Sequence, residues 1–398
     1  MKKYILVTVI LVLALAGCQA ELHDSRAAAY QRWNHARARM LYGVGLEHLK
    51  DGQLDQARNK AQEALALDGK YIEARLLLGK VCLEKGDYTD AVAELTKVRD
   101  EVPRSVEVIY LLAAAQEKNG ALEEALNNYR LAYALDNSNI SAVTAAGEVL
   151  VAMGRVAEAR RYIDGYLGVA KNDPGVFELA GRLAMMSGEY EKAACHYQQA
   201  YDLDCKNVPY REALARAQFL ARRHEEAAGT LKELTELKGY AAGAWAYAML
   251  GDCYLVQGRP YEARNAFDMA TRLKPTDAGV WVNVAKAAVT CRDMERAILA
   301  AKQAMDIEPG HLDATLVLGY AMLRTGQPAQ AVTVLAQAAS AHPSSGTLQC
   351  LLGRAYAATG DEPQALRCYA EAVRLEPGNE AARQLLAGTG AEKLSGTR

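Results

Sequence analysis

Cys18 stands where its thiol could be modified, directly after residues 15–17 (LAG) at the end of an apolar run. Two lysines precede that run, which extends over residues 4–16. A positive segment, a short apolar segment and small residues before a cleavage point are the three parts of a secretory signal peptide. The run is too short to cross a bilayer, which takes about 20 apolar residues. We therefore expect residues 1–17 to be removed.

The stretch LAGC, residues 15–18, resembles the lipobox of bacterial lipoproteins. This resemblance implies that the Cys18 thiol is diacylated and that Cys18 begins the mature chain. Several acyl chains form a stable anchor, because each buried methylene contributes about 0.8 kcal/mol. Gln19 occupies the position where Asp retains many Gram-negative lipoproteins in the inner membrane, so the resemblance implies the outer membrane, facing the periplasm. An ordinary signal peptide cleaved nearby is the alternative.

The other side chains that could carry catalysis do not form a recognisable site. The seven further cysteines include no CxxC pair, and the seven histidines are scattered. Cys195 and His196 are adjacent, but neighbours on a helix do not face each other and cannot act as nucleophile and base. Phosphate-binding, dinucleotide-binding, zinc-protease and hydrolase motifs are absent. We expect no catalytic residue, no metal and no cofactor, and we expect buried thiols, with Cys195 and Cys205 the one pair to test for a disulfide.

Composition favours closely packed helices. Apolar residues make up 51% of the chain, Ala is the commonest of them, and there are three Phe. Strands prefer β-branched and aromatic residues, whereas Ala is the strongest helix former. The formal charge of −2 over 398 residues gives no general attraction to nucleic acid, so we expect no nucleic-acid partner.

A repeat of 34 residues accounts for most of the chain. Residues 244–277 carry characteristic side chains at the spacing of a helix-turn-helix unit. These are Leu250, Gly251, Tyr254, Gly258, Ala263, Phe267, Ala270 and Pro275. They resemble the signature of the tetratricopeptide repeat (TPR) at every position except the early Trp. The resemblance implies a pair of helices, A and B, in each repeat, with the repeats stacked as a solenoid.

The same columns recur in ten frames that start at residues 38, 72, 106, 140, 174, 208, 244, 278, 312 and 346. Alanine fills one helix B column in every frame: Ala57, Ala91, Ala125, Ala159, Ala193, Ala227, Ala263, Ala297, Ala331 and Ala365. The facing helix A column holds only Gly or Ala, which lets the two helices cross closely. We predict an all-α fold, a right-handed superhelical solenoid of about ten TPR helix-turn-helix repeats with N- and C-terminal capping helices.

The turns between helices A and B are predicted to use a glycine in the left-handed region. Arg222 and Arg292 replace that glycine in repeats six and eight, so we expect less regular turns there. The step after repeat six is 36 residues instead of 34, and the additional length falls near residues 238–243. This predicts a longer loop between repeats six and seven.

The segments of the chain follow from the signal and the repeat frame. They are a lipoprotein signal peptide (1–17), the lipidated cysteine with a short linker (18–25), an N-terminal capping helix (26–37), the ten repeats (38–379), a C-terminal capping helix (380–388) and a disordered tail (389–398). The apolar face predicted for the first helix consists of Ala29, Trp33, Ala36 and Met40. Four arginines on this helix, Arg26, Arg32, Arg37 and Arg39, could contact anionic lipid headgroups or form an ordinary solvated face.

Helix A of each repeat is expected to line the concave surface on which TPR arrays hold partners. Frame position 9 on this helix is basic in five of ten repeats, and Met and aromatic side chains lie nearby. That composition is typical of peptide-binding hot spots. The candidate partner-binding residues are Lys80, Arg182, Met185, Met186, Arg216, Phe219, Trp245, Asp252, Asn283, Lys286, Tyr320 and Arg354. The alternative is that these positions are solvated or serve packing.

Two specialised TPR functions do not fit the sequence. The carboxylate clamp needs amide and amine side chains where Asp252 and Asp313 stand, and an asparagine ladder would repeat Asn283 in the other frames. The lipobox and the array favour a non-catalytic, membrane-anchored scaffold that binds envelope proteins or peptides. Similar proteins assist assembly of pili, secretion systems or exopolysaccharide export. The alternative is an adaptor or chaperone that recruits a cell-wall or periplasmic enzyme to the membrane.

Overall fold

The computed structural model describes residues 26 and 28–388, and all 21 regular elements within that range are α-helices. They are α1 (residues 26 and 28–50), α2 (Leu54–Leu67), α3 (Ile72–Lys85), α4 (Tyr88–Glu101), α5 (Val106–Lys118), α6 (Leu122–Leu135), α7 (Ile140–Ala152), α8 (Val156–Tyr166), α9 (Pro174–Met186), α10 (Tyr190–Leu203), α11 (Val208–Leu220), α12 (His224–Thr235), α13 (Ala244–Val256), α14 (Pro260–Leu273), α15 (Ala278–Thr290), α16 (Met294–Ile307), α17 (Leu312–Arg324), α18 (Pro328–Ala341), α19 (Gly346–Thr359), α20 (Glu362–Leu375) and α21 (Glu380–Gly388).

Two compact units divide the chain, one ending at Ser187 and the other beginning at Gly188. In the first unit α3 packs on α4 and α5 on α6, as helices A and B of one repeat. In the second unit α11 packs on α12, α13 on α14, and so on to α19 on α20. The predicted all-α fold built from TPR helix pairs is thereby confirmed. Cys18 and the signal segment lie outside the described residues.

The small-residue columns lie where the two helices of a pair cross. All ten alanines of the helix B column are fully buried. A Cβ built on Gly251 would lie 2.6 Å from Cε1 of Phe267, and one on Gly319 would lie 2.6 Å from Cδ2 of Leu335. No side chain can stand at such a distance without moving its neighbour. The column is therefore small because the large helix B side chain occupies that volume.

Arg222 and Arg292 take the same backbone conformation as the turn glycines. Their φ angles are 60° and 62°, against 70° at Gly258. The N–H of Arg222 donates to the carbonyl of Phe219 at 3.0 Å, and the N–H of Arg292 donates to that of Val289 at 3.0 Å. The same three-residue bond closes the helix end at Gly258. The expectation of irregular turns is therefore wrong, because the hydrogen bonds of the helix end hold a non-glycine residue in the left-handed region.

The N-terminal helix differs from the predicted arrangement. Residues 28–50 form one uninterrupted helix, so the boundary placed at residue 38 falls inside α1. The four residues of the predicted apolar face are exposed. The buried residues of α1 are Gly45 and Ala38, and Ala38 packs with Ala64, Tyr71 and Ala74. A capping helix that merges with the first helix of the array needs only one narrow buried stripe.

At the other end of the described chain, α21 packs on α20. Ala382 of α21 is fully buried and clusters with Cys350 and Ala372. Of the described cysteines, Cys195 and Cys205 are exposed free thiols, so the expectation of burial is wrong for these two and they form no disulfide. No described helix combines the length and the apolarity needed to cross a bilayer.

Candidate functional site

The odd-numbered helices correspond to helix A and form one layer of each unit. In the second unit α13 touches α15, α15 touches α17, and α17 touches α19. In the first unit α3 touches α5, and α7 touches α9. Within each unit, we call the surface formed by frame positions 2, 5, 6, 9, 12 and 13 of these helices the A face. It contains all the candidate partner-binding residues predicted from the sequence.

Position 9 of the first unit links neighbouring A helices through ion pairs. Lys80 Nζ on α3 lies 2.6 Å from Glu107 Oε1 on α5. Arg182 on α9 donates to Glu148 Oε1 on α7 at 2.9 Å, and both residues occupy position 9 of their repeats. These pairs are partly exposed, so each contributes about 0–1 kcal/mol to stability. Lys80 and Arg182, which were predicted to bind a partner, are therefore already paired with acidic residues within the first unit.

The second unit continues this pattern on α13, α15 and α17. Lys286 Nζ lies 2.6 Å from Asp313 Oδ2. Asn283 Nδ2 donates to Asp252 Oδ1 at 3.2 Å. Three successive A helices are thus joined by polar side chains at positions 2, 6 and 9. Any ligand that contacts this part of the A face lies against paired charges of both signs. Such a surface favours directional hydrogen bonding over a general attraction for anions.

Arg216 and Trp245 form the one cation–aromatic stack of the described A face. The Arg216 guanidinium carbon lies 3.8 Å from the centre of the Trp245 ring. Glu212, one turn earlier on α11, accepts a hydrogen bond from Arg216 at 3.2 Å and another from the Tyr240 hydroxyl. Tyr240 belongs to the lengthened loop between repeats six and seven, where Ala242 is buried. The additional residues therefore supply a hydrogen-bond donor that holds Glu212 and, through it, Arg216.

Burial changes the pKa values of two A-face carboxyl groups and of one tyrosine in the neighbouring loop. It raises the pKa of Asp252 to about 6, although Lys286 acts in the opposite direction. Burial also raises the pKa of Glu178, with a smaller contribution from nearby Glu148. Burial and the hydrogen bond to the Glu212 carboxylate raise the pKa of Tyr240 to about 12. Asp252 is thus a carboxyl group that titrates near neutral pH on the predicted binding surface.

The apolar residues among the candidate partner-binding residues differ in their exposure to solvent. Met186 is exposed on the first unit, whereas Met185 is half-buried. In the second unit Phe219 is half-buried with its ring edge-on to His224 at 5.7 Å, and Tyr320 packs partly into the core. Arg354 is exposed on α19. Leu220 is exposed one turn beyond Arg216 on α11, and Val256 is exposed at the C-terminal end of α13, away from Trp245.

The acidic partners of the basic residues were not predicted from the sequence. Glu107 and Asp313 occupy position 2 of their frames, and Glu212 occupies position 5. The sequence pattern used for the prediction covered only the side chains at position 9. Comparing position 9 of one repeat with position 2 of the next would have revealed the Lys80–Glu107 and Lys286–Asp313 pairs.

In the second unit a cysteine thiol lies close to a histidine ring. Cys253 Sγ lies 4.0 Å from His224 Nδ1, which is the arrangement of residues that an activated thiol requires. Burial raises the pKa of the Cys253 thiol to about 12, so the thiolate is not formed near neutral pH. The contact is therefore a packing contact of a neutral thiol. The described residues contain no cluster of three or more potential metal ligands.

Comparison with protein families agrees with the repeat architecture. Two tetratricopeptide repeat models match the chain, one at residues 48–115 and 117–183 and the other at residues 212–278. A further model, the middle TPR-like domain of cilia and flagella-associated protein 70, matches residues 269–376. Together the matches cover more than half of the 398 residues.

Individual relatives are similar over parts of the chain. Superkiller complex protein 3 of Mus musculus is 34% identical over 113 residues, which are 28% of this chain and 7% of that protein. Cellulose synthase 1 operon protein C of Komagataeibacter xylinus is 26% identical over 172 residues, 40% of this chain and 13% of that protein. The chain thus matches only a small part of the length of these relatives.

Among solved structures, a tetratricopeptide repeat protein from Parabacteroides merdae aligns with a TM-score of 0.45 and 16% identity. The alignment covers 64% of this chain and 99% of that one. The family matches, the buried alanine column and the helix pairs lead to the same conclusion. The chain belongs to the tetratricopeptide repeat family, whose members serve as protein–protein interaction scaffolds.

Proposed function

We propose that this protein is a non-catalytic scaffold, anchored by lipid on Cys18 to the bacterial cell envelope, which binds partner proteins or peptides on its A face. The observation that carries the binding part is the stack of Arg216 on Trp245, with exposed Leu220 one turn beyond Arg216 on α11. Trp and Arg are the residues that most often dominate binding energy at protein interfaces. Here they stand on rigid helices, so little conformational entropy is lost when a partner binds.

The ion pairs of the A face give this surface its selectivity. A partner on the first unit must either leave the pairs of Lys80 and Arg182 intact or replace their acidic groups by its own. A partner on the second unit meets the same condition at Lys286. Replacement of a paired charge without compensation leaves a charge unpaired, which costs more than the pair contributes. The binding energy therefore concentrates at the Arg216–Trp245 stack and its apolar neighbours.

The anchoring part rests on the lipobox resemblance of residues 15–18. Seven residues separate Cys18 from Arg26, where the described helix begins. Fully extended, a linker of this length reaches at most about 25 Å. The first repeats would then lie close to the membrane, in the periplasm if the membrane is the outer one. Such a position suits assembly of a multiprotein machine at the membrane surface.

The process that the scaffold serves is assembly of a pilus, a secretion system or an exopolysaccharide-export machine. The similarity to cellulose synthase 1 operon protein C of Komagataeibacter xylinus supports the last of these, since that name refers to synthesis of a polysaccharide. An adaptor or chaperone that recruits a cell-wall or periplasmic enzyme to the membrane is the second candidate. Both functions use the same A face.

In-cell photocrosslinking tests the binding surface. A photoreactive amino acid is placed at Val256 or Leu220 on the A face, and at Leu299 on α16 as a control that is equally exposed on a helix B. We expect partner adducts from the two A-face positions and none from Leu299. The same adducts from all three positions would contradict the proposal.

Substitution then tests the hot spot. Arg216→Ala should reduce the yield of adducts at Leu220 about tenfold, which corresponds to about 1.4 kcal/mol of binding energy. Arg374→Ala is the matched control, because Arg374 is also exposed and ion-paired but lies on helix α20. Equal adduct yields from both variants would show that the stack does not contribute.

Labelling with radioactive palmitate tests the anchor. The native chain should incorporate the label and fractionate with membranes, whereas Cys18→Ser should incorporate none. A labelled Cys18→Ser protein would show that the modification is elsewhere. An unlabelled native protein would show that residues 15–18 do not act as a lipobox.

A further inference from the structure

Helix α1 exposes a stripe of large apolar side chains that nothing in the described chain covers. Tyr30, Trp33, Met40 and Val44 are 66%, 61%, 74% and 45% exposed. They follow one another at spacings of three, seven and four residues, which puts them on one face of the helix. Ala38, the fully buried residue, belongs to a different face. Large apolar side chains that cluster in this way mark a docking surface.

The four arginines of this helix divide into two pairs. Arg26 and Arg37 fall within the apolar stripe, four residues before Tyr30 and seven residues after it. Arg32 and Arg39 lie on the opposite side, where the Arg32 side chain returns to the carbonyl of Ala28. The segment 25–46 contains no Asp or Glu. The stripe therefore combines aromatic and sulfur side chains with positive charges that no acidic residue of this segment offsets.

We propose that the stripe of α1 lies in the headgroup region of an anionic lipid membrane, with Tyr30, Trp33 and Met40 inserted and Arg26 and Arg37 on lipid phosphates. Helices of this composition lie flat in the membrane interface, where Trp and Tyr place an apolar ring in lipid and a polar group in water. Each arginine adds attraction to an anionic surface. This inference rests on the proposed anchoring, since it makes α1 the second membrane contact beside the acylated Cys18.

A second copy of the chain is a poorer occupant of this surface. Two α1 helices packed along their stripes would bring Arg37 and its counterpart together without an acidic residue between positions 25 and 46 to pair with them. Like charges in such a contact are destabilising. An anionic bilayer complements both the apolar and the charged parts of the stripe. The seven residues between Cys18 and Arg26 also keep α1 within reach of the surface in which the acyl chains would sit.

Vesicle flotation tests the contact separately from the lipid anchor. The chain is prepared from residue 18 with Cys18→Ser, so that neither the signal segment nor acylation contributes. It is mixed with vesicles of phosphatidylethanolamine and phosphatidylglycerol at 3:1, or with vesicles of phosphatidylcholine alone. We expect binding at least tenfold stronger to the anionic vesicles, and a further tenfold loss in the variant Trp33→Ala/Met40→Ala.

Matched variants separate the stripe from general charge. Arg26→Gln/Arg37→Gln removes two positive charges on the stripe, and Arg32→Gln/Arg39→Gln removes two on the other side of the same helix. The first should reduce binding at least fivefold and the second less than twofold. Leu299→Ala, at an exposed apolar residue of α16, should bind as the native sequence does. Thermal unfolding of all variants checks that α1 stays folded.

The depth of insertion gives an independent readout. Brominated lipid should quench part of the tryptophan fluorescence of the native sequence, and this part should vanish in Trp33→Phe. Equal binding by both arginine variants, or no quenching assigned to Trp33, would overturn the proposal. So would a dimer that Trp33→Ala dissociates, or an absence of binding to anionic vesicles. Because this protein carries no acyl chain, these results are independent of palmitate labelling at Cys18.

Discussion

Replacing Asp252 by Asn should stabilise the second unit at neutral pH and remove a pH dependence. Asp252 sits half-buried between α13 and α15, where burial raises its pKa from 3.8 to about 6. The native state therefore binds this proton more tightly than the unfolded state does. The resulting stability is fully present below pH 4 and is lost as the pH rises through 6. Asn resembles the protonated form and keeps the hydrogen bond from Asn283.

The size of the effect follows from the shift in pKa. A shift of about 2 units corresponds to about 3 kcal/mol at 1.4 kcal/mol per unit, and the partial solvation of the side chain reduces this to about 1–2 kcal/mol. Asp252→Asn should thus raise the free energy of unfolding by about 1–2 kcal/mol at pH 7.5. At pH 4.5 the gain should shrink to a few tenths of a kcal/mol.

Urea unfolding followed by tryptophan fluorescence measures this difference. In a Trp33→Phe background the remaining tryptophans are Trp245 on α13 and Trp281 on α15, so the signal reports the region around Asp252. Asp313→Asn is the control, because this exposed acid forms a surface ion pair worth at most about 1 kcal/mol. An Asp252→Asn variant that is less stable than the native sequence at pH 7.5, or whose effect is the same at both pH values, would refute the reasoning.

Backbone and packing predictions can be checked by urea or thermal unfolding. Gly251→Ala should destabilise by about 1–3 kcal/mol, because its Cβ would lie 2.6 Å from the Phe267 ring; an unchanged midpoint would show that the helix pair can separate freely. Gly43→Ala, on α1 with open space around it, should instead stabilise by about 0.5–1 kcal/mol through helix propensity, and a loss would indicate a contact on that surface. Arg222→Gly and Arg292→Gly should each stabilise by about 0.5–1 kcal/mol, since φ angles of 60° and 62° strain any residue with a side chain; lower melting temperatures would mean that the arginine side chains outweigh the strain.

The sequence was sufficient to predict the helix pairs because small residues recur at the same positions in every repeat. The column from Ala57 to Ala365 is small in every frame, and each of its alanines is fully buried. The turn geometry was harder to predict from the sequence. Arg292 adopts the left-handed conformation because hydrogen bonds at the helix end hold it there, and residue preferences for turns do not take these bonds into account. For the helix pairs and for the turns alike, the repeat spacing predicted where each element lies. The backbone conformation of the turns depended on hydrogen bonds at the ends of the helices.

The sequence predicted which surface carries the candidate residues, but it did not predict that these residues are ion-paired. Lys80 and Lys286 do lie on the A face, yet each is bound to an acid from the next repeat. Side-chain pairing across repeats depends on rotamers and on the offset between neighbouring helices. Comparing the residue types at one frame position gives no information on either. The role of the lengthened loop was hidden for the same reason, since Tyr240 contacts a residue 28 positions earlier in the chain.

The continuity of α1 has a mechanical consequence for the protein. A helix over residues 28–50 is a rod of about 35 Å, and its second half is also the first helix of the repeat array. No hinge separates the two halves, so a torque on one end turns the first repeats as a rigid lever. If the rod rests on a bilayer, its roll angle sets the angle at which the first repeats rise from the surface. A glycine pair introduced near the middle of α1 would uncouple the two.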